Sequence, residues 1–175
     1  MDNIKKFKHK IIKNFFSKKE LDLFQQYCWI RLDEPWIEPR FFDDALAKHF
    51  HELKRNIVEK HTKFKLFKTY CYWKYFAYGD NVPLHVNGPN CEISVIVAIK
   101  QNKQWPIEIE KKLFTIDEGD AIVFLGNQLS QKRKVLKDES NAQIFFNYVD
   151  QNGSFTYHKD NQLEKDVPTW KKHVK

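Results

Sequence analysis

The sequence predicts an α+β protein, with helices first and then a β-sandwich or barrel that those helices buttress. Two observations predict this class. Over residues 1–62 the apolar residues recur at helical spacing behind recognisable caps; from Lys65 onward the period shortens to two and the chain breaks into short β-rich runs. At 175 residues the chain can bury one sizeable core and does not require a second. We read a single domain over 1–175, with mainly helical support over 1–62, a β core over 63–150 and a C-terminal extension over 151–175.

Each element has its own signal. Phe16-Ser17-Lys18-Lys19-Glu20-Leu21 starts a helix: Ser17 caps, Glu20 completes the capping box, and Phe16 and Leu21 take the staple positions. That helix runs to about Trp29, with Leu21, Phe24 and Cys28 on one face. An irregular stretch around Pro35 and Pro39 follows. Asp43 or Asp44 then caps a second helix, in which Leu46, Phe50, Leu53 and Ile57 form the apolar stripe. His49, His51 and His61 fall on it or at its end and read as solvated side chains, since no ligand spacing joins them.

Thr69 to Tyr78 is a strand with Tyr70, Tyr72, Lys74, Phe76 and Tyr78 on one face and Cys71, Trp73, Tyr75 and Ala77 on the other. Gly79-Asp80-Asn81 turns the chain. Glu92 to Ile99 is almost wholly apolar or small, as in a strand covered on both faces. Trp105 to Glu110 gives a short strand, Glu118-Gly119-Asp120 a tight turn into Ala121 to Leu125, and Gln143 to Val149 a last apolar strand.

Composition excludes several classes. Five glycines and six prolines, scattered, exclude collagenous or low-complexity sequence. No apolar run approaches a signal core or a membrane span, so a soluble, cytoplasmic protein is the expectation, with no membrane partner. Cys28, Cys71 and Cys91 are odd in number and far apart, and read as buried thiols. The net charge of +7 is compatible with nucleic acid as a partner, although no recognised motif accompanies it and a lysine-rich solvated surface is the simpler reading.

The chemistry concentrates around Leu84-His85-Val86-Asn87-Gly88, just before the most apolar strand. A histidine and a carboxylate one residue apart are two ligands of the facial triad that holds non-haem Fe(II); here the second is an amide. Thr69-Tyr70-x-Tyr72-x-Lys74-x-Phe76, Gly79-Asp80, His85-x-Asn87, Cys91-Glu92-Ile93-Ser94, Trp105-Pro106-Ile107, Gly119-Asp120-Ala121, Gly126 and Tyr148-Val149-Asp150 follow one another in a familiar order. In that order the chain resembles 2-oxoglutarate and Fe(II)-dependent dioxygenases of the prolyl-hydroxylase-like branch, from about Ser17 to Asp150.

The resemblance implies a double-stranded β-helix, or jelly roll, with N-terminal supporting helices. It implies Fe(II) and 2-oxoglutarate as cofactors of active members. It also implies metal ligands at three positions: His85 matches the first, Asn87 stands where the aspartate belongs, and Gln131 stands where the distal histidine belongs. The basic residue that holds the 2-oxoglutarate carboxylate is missing, since Asn141, Ala142 and Gln143 are neutral and Lys137 comes too early. Losing two ligands weakens metal binding roughly 10²- to 10⁴-fold, reckoned as the square of an outer-shell loss.

The sequence therefore leads to a degenerate member of the fold with a broken triad, a non-catalytic binding or scaffolding protein without cofactor. Its pocket walls are expected from Tyr70, Tyr72, Lys74, Phe76, Glu92 and Arg133, and its ligand is a small molecule or a protein. The alternative is an active oxygenase with unusual ligands, in which His85 ligates iron and Asn87, Gln131 or Glu92 contributes oxygen donors. Against that, Glu92 reads more simply as a residue hydrogen-bonded to backbone at the strand entry.

Overall fold

Helices start where side chains can take up the free amides of the first turn, and both starts read from the sequence form here. The computed structural model describes residues 7–32, 40–137 and 140–160. The stretch around Pro35 and Pro39 and the extension beyond residue 160 lie outside the described residues. In α1 (Lys18–Leu32) the Glu20 amide donates to Ser17 Oγ at 3.3 Å while the Ser17 amide donates to Glu20 Oε2 at 2.7 Å, a reciprocal capping box. Phe24 and Cys28 are buried, as the periodicity predicts, and the helix continues to Leu32 rather than stopping at Trp29.

In α2 (Ala45–Thr62) the cap is Asp44, whose Oδ1 accepts from the amides of Leu46 and Ala47. The buried stripe differs from the expected one. Ala47, Phe50, His51, Lys54, Val58 and Thr62 face inward, whereas Leu53 is 51% exposed. Lys54 accounts for the rotation: its ammonium donates to Glu20 Oε2 at 2.7 Å and lies 5.3 Å from the Phe16 ring centre, so its apolar stem fills core space while its charge is met at the capping box.

His51 corrects the expectation of a solvated ring. It stacks on Phe146 at 5.2 Å and its Nε2 donates to the Asn147 carbonyl at 3.0 Å.

The described residues form ten strands, in chain order β1 (His9–Ile12), β2 (Arg40–Phe42), β3 (Leu66–Ala77), β4 (Val82–His85), β5 (Ile93–Gln101), β6 (Ile107–Ile109), β7 (Lys112–Phe114), β8 (Ala121–Leu125), β9 (Gln131–Arg133) and β10 (Ser140–Asp150). They pair antiparallel in a six-stranded sheet, β1-β8-β5-β10-β3-β2, and a four-stranded sheet, β4-β9-β6-β7. Strands β1 and β2 lie inside the region read as helical support; with four and three residues they are too short to show a period. The β6–β7 hairpin turns on Glu110 and Lys111, both at positive φ, where glycine or asparagine would have been the signal.

The core has two layers because the central strands are covered on both faces. Val95, Val97 and Ile99 of β5 join Trp73 and Phe146 against Phe16, Phe24 and Phe50 on the helix side. Ile96 and Ala98 face the other way and meet Ile107 and Ile109 of the smaller sheet. The near-unbroken apolar run in β5 is this double burial. The architecture is α+β, with two stacked antiparallel sheets and the helices against the larger. Among the described residues no helix is long and apolar enough to cross a membrane.

Burial at His51 has a measurable consequence. It disfavours the charged ring and lowers the pKa from 6.5 to about 3, so in this window the unfolded chain binds more protons. The His51 contribution is complete above pH 6.5 and is lost as pH falls toward about 3. His51→Gln keeps an N–H for the Asn147 carbonyl and is expected to flatten the pH dependence of unfolding in denaturant titrations across that window.

Candidate functional site

A cleft of about 220 Å³ opens between the two sheets. Alternation along β3 sends Tyr70, Tyr72, Lys74 and Phe76 into it, the face that the sequence predicts. Tyr72 stacks on Phe145 of β10 at 4.4 Å and 9°, and Lys74 Nζ lies 4.4 Å from the Phe76 ring centre. The Tyr70 hydroxyl shares a hydrogen bond with the Cys91 thiol at 3.0 Å, and burial raises both groups above their ordinary pKa.

The opposite wall is β4 paired with β9. In that register His85 lies across from Gln131, which is how residues far apart in sequence meet. His85 is exposed and its Nδ1 donates to the Pro83 carbonyl at 2.8 Å, leaving Nε2 as the bare nitrogen. Gln131 Nε2 donates to Asn87 Oδ1 at 3.0 Å, Asn87 Nδ2 donates to Ser94 Oγ at 3.0 Å, and Ser94 Oγ donates to Asn147 Oδ1 at 3.0 Å. Four neutral side chains thus form one hydrogen-bonded line through the cleft. Gly126 leaves room for it: a Cβ there would collide with Ser94 Oγ and the Cys91 carbonyl.

As a donor set for Fe(II) these residues do not fit. A facial triad joins two imidazoles to one anionic carboxylate. At the three expected ligand positions this cleft offers one imidazole and two amides, and the Asn87 oxygen already accepts from Gln131. Among the described residues no aspartate or glutamate lines it. Among the described residues no three His, Cys, Asp or Glu side chains gather as a metal group.

Glu92 requires a correction. It does not line the cleft; it is 5% exposed, and its Oε2 accepts from the Asp150 amide at 2.8 Å. Burial raises its pKa. The backbone contact follows from its place at the entry to β5, where its side chain bridges to the end of β10.

Arg133 is in the cleft wall at 5% exposure. Its Nη1 donates to the Trp105 carbonyl, its Nη2 donates to Gln143 Oε1 at 3.2 Å, and its guanidinium lies 4.9 Å from the Trp105 ring centre. Burial pushes its pKa down to about 9, which still leaves it charged at neutral pH.

Sequence reasoning missed Arg40, Asn147 and Gln143. Arg40 lines the cleft from β2, which shows no period. Asn147 and Gln143 had a signal: with Asn141 they are the polar residues between the ends of an otherwise apolar strand, all on the face that carries Phe145.

The two sheets and their supporting helices form the double-stranded β-helix fold of 2-oxoglutarate and Fe(II)-dependent oxygenases. Solved structures carry that assignment. A 2-oxoglutarate–Fe(II) oxygenase-family oxidoreductase of Burkholderia pseudomallei matches at a TM-score of 0.68 and 11% identity, over 91% of this chain and 90% of that one. The viral collagen prolyl hydroxylase of Paramecium bursaria Chlorella virus-1, solved with 2-oxoglutarate, matches at 0.65 and 11%, over 82% and 97%. A Pseudomonas putida prolyl-4-hydroxylase matches at 0.65 and 9%, over 86% and 97%. No protein-family model matches the sequence, and no curated protein does. The likeness is therefore one of fold.

Because the hydrogen-bonded line runs past Gly126, Gly126→Ala is expected to destabilise the protein by about 1–3 kcal/mol, as overpacking does. Chemical denaturation measures this, and an unchanged midpoint would show that the line can move aside.

Proposed function

We propose that this chain is a non-catalytic, metal-independent binding protein built on the oxygenase fold, and that its cleft receives a small organic anion. The observation that carries the reading is the Gln131–Asn87 hydrogen bond: two amides at the expected ligand positions satisfy each other instead of facing a metal. An amide oxygen is a weaker, uncharged donor, and two such replacements cost roughly 10²- to 10⁴-fold in affinity.

The anion follows from charge. Arg40, Lys74, Lys132 and Arg133 line the cleft with no acid among them. Lys132 reaches outward to Glu108 at 3.2 Å, but Arg133 is buried against a carbonyl and a side-chain amide, neither of which is charged. A desolvated cation without a counter-ion is destabilising, and a bound carboxylate relieves it. The stacked Tyr72–Phe145 pair forms a flat wall beside that charge. The rival reading, an active oxygenase with unusual ligands, draws on His85, whose bond to Pro83 holds Nε2 bare as ligating histidines are held.

Calorimetric titration with Fe(II) and a 2-oxoglutarate turnover assay separate the two. We expect neither micromolar binding nor succinate formation, and either result would overturn the proposal. Asn87→Asp combined with Gln131→His is expected to raise Fe(II) affinity by roughly 10²- to 10⁴-fold.

The anion has its own test. With chelator present, succinate as the probe is expected to raise the Tm of the wild type and to leave Arg133→Met unmoved. The variant also loses the Arg133 hydrogen bonds to the Trp105 carbonyl and Gln143, so the shift on adding succinate is measured against its own unliganded Tm.

A further inference from the structure

The run Lys132-Arg133-Lys134 divides between two sites. Strand alternation turns Arg133 into the cleft and Lys134 lines the outer side of the smaller sheet, while Lys132 borders both. There a second groove, of about 430 Å³, runs along the sheet. The registers Glu108↔Leu113 and Glu108↔Lys132 set Leu113, Glu108 and Lys132 side by side across three strands.

The groove has an apolar floor and a cationic rim. Trp105, Pro106 and Leu136 lie at its base. Leu113 and Val135 stand up from it at 64% and 46% exposure, more than isolated surface residues need and both facing one depression. Lys103, Lys132, Lys134 and Lys137 surround them. Glu108 is the one acid of the lining and is already paired with Lys132, which leaves Lys103, Lys134 and Lys137 without an ion pair among the described residues.

We propose that this groove docks an extended acidic segment of a partner protein, whose carboxylates meet Lys103, Lys134 and Lys137 and whose apolar side chains sit between Leu113 and Val135. Charge complementarity selects the occupant. A nucleic acid would need exposed rings for its bases to stack on, and the one aromatic residue of the lining, Trp105, is 7% exposed with its indole N–H donating to the Lys134 carbonyl at 2.9 Å. The groove shares Lys132 with the cleft, so a test that leaves Lys132 unchanged reports on docking in the groove and not on the proposed cleft ligand.

The probe is a fluorescein-labelled peptide of about eight residues in which glutamates flank two leucines, read by anisotropy. Saturable binding with Kd near or below about 100 µM is expected, weakening about tenfold in Lys134→Glu/Lys137→Glu and about fivefold in Leu113→Ser/Val135→Ser. All four positions are solvent-exposed, so these variants test docking rather than folding. The inference fails if binding stays unsaturated at about 1 mM. It also fails if Leu113→Ser/Val135→Ser binds unchanged, which would make the attraction purely ionic, or if oligothymidylate of equal charge displaces the peptide at equal or lower concentration.

Discussion

Strands β5 and β10 have no solvent face, and the placement of everything else follows from that constraint. β10 pairs with β3 on one side and β5 on the other, so its backbone is satisfied within the larger sheet. Its side chains must then be covered twice. The helices cover one face with Phe16, Phe24 and Phe50, and the smaller sheet covers the other. Asn141, Gln143 and Asn147 project from that second face, and buried polar groups need partners. Gln143 bonds Asn141 and Arg133, and Asn147 bonds Ser94, so the cleft is the place where the inner face of β10 satisfies its amides.

The cleft therefore combines two kinds of polar structure. Near His85 it is a line of neutral donors and acceptors, well satisfied and without net charge. Near Arg133 it is cationic and short of acceptors with charge. The proposed anion would bring its negative group to the second region and leave the first intact. The stacked rings of Tyr72 and Phe145 line the same cleft.

Long, strongly patterned elements were legible in the sequence. The Ser17–Glu20 capping box, the two faces of β3, the double burial of β5 and the span of β8 all appear where residue patterns place them. What escaped was short or was decided by tertiary contact. β1, β2, β4, β7 and β9 have three or four residues each, and no periodicity can be read over such lengths. On α2 the core position of Lys54 depends on Glu20 of another helix, which hydrophobicity alone does not convey. His51 likewise looks like a surface residue until Asn147 and Phe146 arrive from β10. Within the cleft, His85, Asn87 and Gln131 converge as spacing and resemblance imply, because β4 and β9 pair in register. Glu92 does not converge, since its nearness in sequence to His85 is undone by the turn that directs it toward Asp150.

The Gln131–Asn87 contact is also two codon changes away from metal-ligand chemistry. Asparagine and aspartate codons differ at a single base, as do glutamine and histidine codons, so two point changes separate this amide pair from the ligand types of a facial triad. Either change alone supplies only part of a donor set: an aspartate at 87 facing Gln131 would still have only one imidazole nearby, and a histidine at 131 would lose the amide that now donates to Asn87. Only the two changes together place two imidazoles and a carboxylate at these positions.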